Sequence, residues 1–209
     1  MRQETDQNGI SMDSAEQQSN VRAEGAPTPS GYAVEQLAEQ LDLAHLDSAS
    51  SAAEAMHKTA LNSSDPLVRI NAIRRMSEFL LITPDKAGDR RSTLREVQLK
   101  VQDKIAAVAF GSEQPEVRLE AVTGLGNTLA IPTGQPDKHN AAIQLIAIIG
   151  ATSPDNSVKN EAIAILSGYS ARKDRGGGYD GASAHLESQN YANAAIGVVS
   201  KPVPTATPL

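Results

Sequence analysis

Four histidines, His45, His57, His139 and His185, are the side chains best suited to metal binding or to proton transfer near neutral pH. Two imidazoles share a metal ion from one helix face only when they stand about one turn apart, as in H-E-x-x-H, and no two of these do. His45 and His57 therefore read as helix-surface residues. The chain has no cysteine, which removes disulfides, thiolate nucleophiles and Cys-ligated zinc while leaving the compartment open. Serines are plentiful, but none stands in a G-x-S-x-G elbow. The stretch "GGGYDG" has the glycines of a phosphate cradle. No Gly-Lys-Ser/Thr follows it and no strand pattern precedes it, so a hinge or irregular loop is the better reading. Neither a catalytic residue nor a cofactor or metal site is expected.

The densest run of cations is Lys86, Arg90, Arg91, Arg95, Lys100 and Lys104, interleaved with Asp85, Asp89, Glu96 and Asp103. Opposite charges at one-turn spacing describe an exposed, salt-bridged helix face. "ARKDRGGGY" also sets basic residues beside glycine and Tyr179, a weak RNA-contacting pattern. A net charge of −6 and the absence of tryptophan argue against nucleic acid, and the charge argues against an anionic membrane surface. No apolar run approaches the ~20 residues of a membrane-spanning helix. The first twenty residues lack the apolar core of a cleavable signal peptide, so a cytoplasmic location is the default expectation. The alternative is secretion by a route that reads a polar N-terminus without cleaving it.

The elements that must position these side chains are helical. Hydrophobic residues make up 40% of the 209 and aromatic ones only 3%, so the core is to be built from Ala, Leu, Ile and Val, which suits close helix packing. Residues 1–30 are too polar to offset the entropy of ordering and read as a disordered tail. Val34, Leu37, Leu41 and Ala44 fall on one helical face. Ser51 and Glu54 have capping-box spacing and are expected to open a second helix carrying Ala53, Met56 and Ala60. Pro66 and Pro115 suit first turns of helices. Val68, Ala72, Met76 and Leu80 form one stripe, and Leu94, Val97, Val101, Ile105 and Val108 form another. "TPDKAGDRRS" reads as a polar loop. "NAAIQLIAIIGA", apolar almost all round, is expected to be the most enclosed helix, and Val158 to about Ser170 form its partner. Residues 171–183 read as a Gly-rich linker. The segment 184–199 has a helical pattern opposed by Gly197 and the Val198–Val199 pair, and 200–209 reads as an extended Pro-rich tail.

A nine-residue phrase recurs. "DPLVRINAI" begins at Asp65, "QPEVRLEAV" at Gln114 and "DNSVKNEAI" at Asp155. Val68, Val117 and Val158 align, as do Arg69, Arg118 and Lys159. Ala72, Ala121 and Ala162 align four residues after the valines, and Met76, Leu125 and Leu166 follow. A valine and an alanine one turn apart, then a bulky aliphatic, suit a helix that packs closely between neighbours. Such a unit cannot bury its apolar face alone and must stack. The pattern resembles the HEAT-repeat (armadillo-like) family over about residues 50–170, with 32–46 as a capping helix. The family commonly carries Asp five residues before the valine, where this chain has Ser63, Ser112 and Ser153.

The resemblance implies an all-α fold, a short right-handed α-solenoid of stacked antiparallel helix pairs over 31–170, flanked by disordered tails. It implies inter-repeat contacts from Arg69, Arg118 and Lys159, and a concave lining from the second helix of each pair. There Arg75, Glu78, Thr123, Asn127, Ala164 and Ser167 are the candidate partner surface. The function it implies is non-catalytic: an adaptor that binds a protein or peptide, with self-association as a further capacity. Two other classes stand beside it. One is a HEAT-like enzyme or accessory, lyase-like or hydroxylase-like, for which His57, Asp65 and Arg69 would have to share a pocket. The hydroxylases of this kind bind iron through His–Glu pairs, and the chain has no His–Glu dipeptide. The other is a secreted effector or secretion-system partner.

Overall fold

The computed structural model describes residues 31–130, 136–172 and 179–200, with side chains at 136 and 179–187 excluded. The polar N-terminal tail, most of the Gly-rich linker and the Pro-rich tail beyond Ser200 lie outside this set. The described chain is all-α. Helix α1 spans Gly31–Gln40, α2 Leu46–Asn62, α3 Pro66–Leu80, α4 Arg91–Gly111, α5 Pro115–Thr128, α6 Pro136–Thr152, α7 Asn156–Ser170 and α8 Tyr179–Val199.

Short turns fold α2 onto α3, α4 onto α5 and α6 onto α7, giving three antiparallel pairs. The pairs stack in two rows. Helices α2, α4, α6 and α8 pack side by side in one row, and α1, α3, α5 and α7 pack in the other. The result is a helical solenoid with half a pair at each end. Helix α1 packs on both α2 and α3, and α8 packs on both α6 and α7. One continuous core runs between the rows. It is built from the stripes read in the sequence, including Ala72, Ile73, Met76 and Leu80 of α3, Val101 and Ile105 of α4, and Ala162 and Leu166 of α7.

The three pairs share one turn design. Ser63, Ser112 and Ser153 are buried, and the backbone N–H of each bonds back to the preceding helix, to Thr59, Val108 and Ile149 respectively. Each serine hydroxyl then accepts the N–H two residues on, from Asp65, Gln114 and Asp155, at 3.2 Å each. The hydroxyl thus supplies the acceptor that a side chain provides in a tight turn. Pro66 and Pro115 follow at first helical positions, where a missing N–H costs nothing. Asp65 caps α3 by accepting the Leu67 N–H at 2.9 Å.

Small residues set the spacing of the stack. A Cβ built on Gly150 of α6 would stand 2.7 Å from Cβ of Ala162 and 2.9 Å from a Val199 methyl. One built on Gly124 of α5 would stand 2.2 Å from the Ser77 hydroxyl of α3.

Four expectations change. Helix α2 begins at Leu46, so Ser51 lies in its interior and no capping box forms there. The buried Leu46 and Ala49 extend the stripe of Ala53, Met56 and Ala60 backwards, and that burial outweighs the local capping pattern. A short 3-10 turn, Leu43–His45, capped by Asp42, feeds directly into the helix. The "TPDKAGDRRS" loop is largely a 3-10 run, Pro84–Arg90, bent at Gly88, whose φ of 53° lies in the left-handed region open to glycine. Helix α6 is not enclosed all round: Ile148 is half-exposed and Gln144 faces out. The terminal helix begins at Tyr179, five residues before the helical pattern, and runs through Gly197 to Val199. The burial of Ala192, Ala195 and Val199 accounts for that persistence.

Candidate functional site

The row α1–α3–α5–α7 carries the candidate partner surface, and side chains stitch it together helix by helix. Glu35 of α1 accepts from Asn71 at 3.0 Å and from Arg75 at 2.6 Å. Arg74 of α3 makes a two-point pair with Glu120 of α5, at 2.9 and 3.1 Å. The Thr123 hydroxyl of α5 donates to Glu161 of α7 at 3.4 Å. Arg74 and Thr123 occupy equivalent positions in successive copies, as do Asn71, Glu120 and Glu161. The rungs thus run from one repeat position to another three residues earlier in the next copy. Bonds from Asn71 and Arg75 hold the Glu35 carboxyl below the usual carboxylate range.

Two open grooves, each of about 380 Å³, lie on this row. The first runs between α1 and α3, with Arg75 and Glu78 on its wall and Leu41, Phe79 and Ile82 in its floor. Arg75 is fixed there by Glu35 and by Glu78, the latter at 2.8 Å. The second runs between α5 and α7. Thr123, Asn127 and Ala164 line it, with Glu161 and Arg172 at its polar edges. Ser167 is half-buried on α7 and does not line either groove. Arg75 and Thr123 therefore serve both as groove wall and as ties between helices. Their role in the inter-helix rungs is legible only once the register of neighbouring copies is known.

The three residues expected to tie repeats together behave differently from one another. Arg118 does so: its guanidinium meets Asp155, the turn residue of the next pair, at 2.8 Å in a largely buried setting. Asp155 consequently makes no side-chain cap on α7. Arg69 instead closes its own pair, donating through Nε to the Ser63 carbonyl at 2.5 Å. The aligned acceptor in the next turn is Gln114 rather than an acid, so Arg69 has no carboxylate to reach. Lys159 donates its backbone N–H to the Asp155 carbonyl of its own turn.

In the cation run Lys100 pairs with Glu96 at the one-turn spacing, whereas Arg90 pairs with Asp47, Lys104 with Glu54 and Arg95 with Asp137, outside the run. Three of these partners sit on other helices, so the run joins α2, α4 and α6. His57 lies beside Glu54 and Lys104, and neither ring nitrogen has a hydrogen-bond partner. Burial, with Lys104 nearby, lowers its pKa. Asp65 caps α3 and Arg69 donates to the Ser63 carbonyl, so both are engaged at the α2–α3 turn.

Sequence reasoning missed an interior polar cluster. Lys138 of α6 is buried and donates to the Leu80 carbonyl at 2.7 Å and to Gln98 Oε1 at 3.0 Å. Gln98 in turn caps the end of α3, donating to the carbonyls of Phe79 and Ile82. Gln102 donates to the Lys138 carbonyl. Burial pulls the Lys138 pKa down to about 8. Close by in sequence, His139 Nδ1 lies 3.0 Å from the Tyr169 hydroxyl. The only sequence signal was polar residues at helix positions that the apolar stripe leaves ambiguous.

Among the described residues, no group of three or more His, Asp or Glu side chains is placed to hold a metal ion. No helix there is long and apolar enough to cross a membrane. No protein-family model matches the chain, and no curated protein matches it either.

Proposed function

We propose that the chain is a HEAT-like interaction module that binds a segment of another protein along the α1–α3–α5–α7 row. The observation that carries this reading is the pair of equal grooves on one row whose helices are cross-tied by side chains. A binding surface needs walls that hold their shape, and the rungs supply that rigidity. The ends of the stack are covered by α1 and α8, and the two grooves of the row stay open between them. Adaptor activity requires no catalytic group, and Glu35, Asn71, Arg74, Arg75, Glu120 and Thr123 are engaged in positioning.

The test is affinity capture of the partner with the wild-type chain, with Asn127→Arg and with Glu96→Arg. Asn127 is exposed in the second groove, whereas Glu96 is exposed on α4 in the other row. The reading expects Asn127→Arg to lose the partner and Glu96→Arg to keep it. A partner retained by Asn127→Arg and lost by Glu96→Arg would overturn it.

A second reading has its own observation. Phe110, Ile148 and Val198, about half-exposed, lie towards the C-terminal ends of α4, α6 and α8 in the opposite row. Such a band is suited to pairing two copies of the chain. Sedimentation at rising concentration checks it: a dimer abolished by Ile148→Ser supports self-association through this band, and a monomer throughout removes it.

A further inference from the structure

The two grooves have the same volume but different charge. The α5–α7 groove sets one carboxylate, Glu161, against one guanidinium, Arg172. The α1–α3 groove sets four carboxylates, Glu35, Glu39, Asp42 and Glu78, against Arg75 alone. Arg75 is already committed to Glu35 and Glu78, so it neither fills the groove nor cancels the remaining charge. Glu39 and Asp42 have no cationic partner in the groove. They stand over an apolar floor of Leu41, Phe79 and Ile82.

We propose that the α1–α3 groove receives an arginine or lysine side chain from the bound partner segment. This inference rests on the interaction-module reading above. An apolar floor below a carboxylate rim matches a side chain with an aliphatic stem and a cationic tip, which buries the stem while the tip stays hydrated. A neutral apolar side chain would leave Glu39 and Asp42 facing it unpaired, and an acidic one would be repelled. The net charge of −6 adds a long-range attraction for a basic segment. The α5–α7 groove, equal in size and balanced in charge, gives no such preference. The difference between the grooves is therefore a selectivity built from charge and not from shape.

Panning a random decapeptide phage library against the full chain tests the idea. Selected peptides are then measured against the wild type, Glu39→Gln/Asp42→Asn and Glu96→Gln/Asp103→Asn, the last on exposed positions of α4 in the opposite row. Asparagine at 42 retains an acceptor for the Leu43 N–H that Asp42 now caps, and circular dichroism confirms that each variant is folded. The expected result is enrichment of Arg or Lys. Affinity should fall about tenfold in the Glu39→Gln/Asp42→Asn protein and with added salt, and should stay within about twofold in the Glu96→Gln/Asp103→Asn protein, which loses the same charge from the opposite row. Enriched peptides without a basic residue, or basic peptides insensitive to the loss of Glu39 and Asp42, overturn this inference and leave the interaction module standing. Peptides weakened by Glu96→Gln/Asp103→Asn and not by Glu39→Gln/Asp42→Asn place binding on the opposite row and overturn both.

Discussion

Gly150 and Gly168 stand in adjoining helices, and the same added methyl group has opposite consequences for them. At Gly150 it collides with Cβ of Ala162, which has no rotamer to escape into, and with Val199. Gly150→Ala should therefore destabilise the fold by about 1–3 kcal/mol despite the better helix propensity of alanine. At Gly168 nothing lies within 4 Å, so Gly168→Ala should stabilise by about 0.5–1 kcal/mol. Urea denaturation of both variants checks the two signs. Lys138 gives a pH-dependent counterpart. Its folded pKa of about 8 lies below the ordinary 10.5, so the unfolded chain binds the proton more tightly. The penalty is fully present below pH 8 and is relieved as pH rises from 8 towards 10.5. Between pH 7 and 9.5 the wild type should gain about 2 kcal/mol relative to Lys138→Met, read from urea midpoints. An unchanged difference would mean that the ammonium is hydrated in solution. Neither property was legible in the sequence. A glycine's tolerance depends on what stands opposite it, and Lys138 looks like any surface lysine until Leu80 and Gln98 are brought over it.

At the scale of elements, the apolar stripes were the legible part, because the spacing of Val68, Ala72, Met76 and Leu80 leaves one face to bury. The start of α2 was not legible. Ser51 and Glu54 form a valid local capping pattern, but Leu46 and Ala49 find a hydrophobic partner surface that no local rule reports. The repeated serines were read as departures from a family pattern, and in the structure they build the same turn three times. Which repeats are tied by charge then depends on the residue in the next turn. Arg118 meets Asp155, whereas Arg69 is aligned with Gln114. Arg118→Ala should accordingly cost about 1–2 kcal/mol, because the pair is largely buried. Lys100→Ala, which removes an exposed one-turn pair with Glu96, should cost no more than about 0.5 kcal/mol. A double-mutant cycle on Arg118 and Asp155 checks the attribution, since a coupling energy near zero would assign the loss to packing alone. Helix α1 is the other test at this scale. It buries Val34 and ties Glu35 to Asn71 and Arg75 of α3, so deleting residues 31–42 should lower the melting temperature by more than about 5 °C. An unchanged midpoint would show that α3 does not depend on that cover.

At the scale of the molecule, three helix pairs and two half-pairs form one stacked core whose two faces differ. One row is cross-tied and grooved. The other carries the paired cations of α4 and a band of half-exposed apolar residues. The repeated nine-residue phrase is architecture: its valines and alanines set the stacking. The differences between copies set the surface, which is why Arg74 makes an ion pair where Thr123 makes a hydroxyl–carboxylate hydrogen bond. The candidate surface was legible as a set of polar positions on the second helices, but not as grooves, because α1 supplies one wall of the first. The claim that the grooved row is where a partner binds is tested most directly by site-specific photocrosslinking. A benzophenone side chain would replace Asn127 in the second groove and, in a separate protein, Asp103 on the exposed side of α4. Crosslinking of a partner from position 127 and not from 103 is the predicted result. Crosslinking from 103 alone would contradict it and move the working surface to the opposite row.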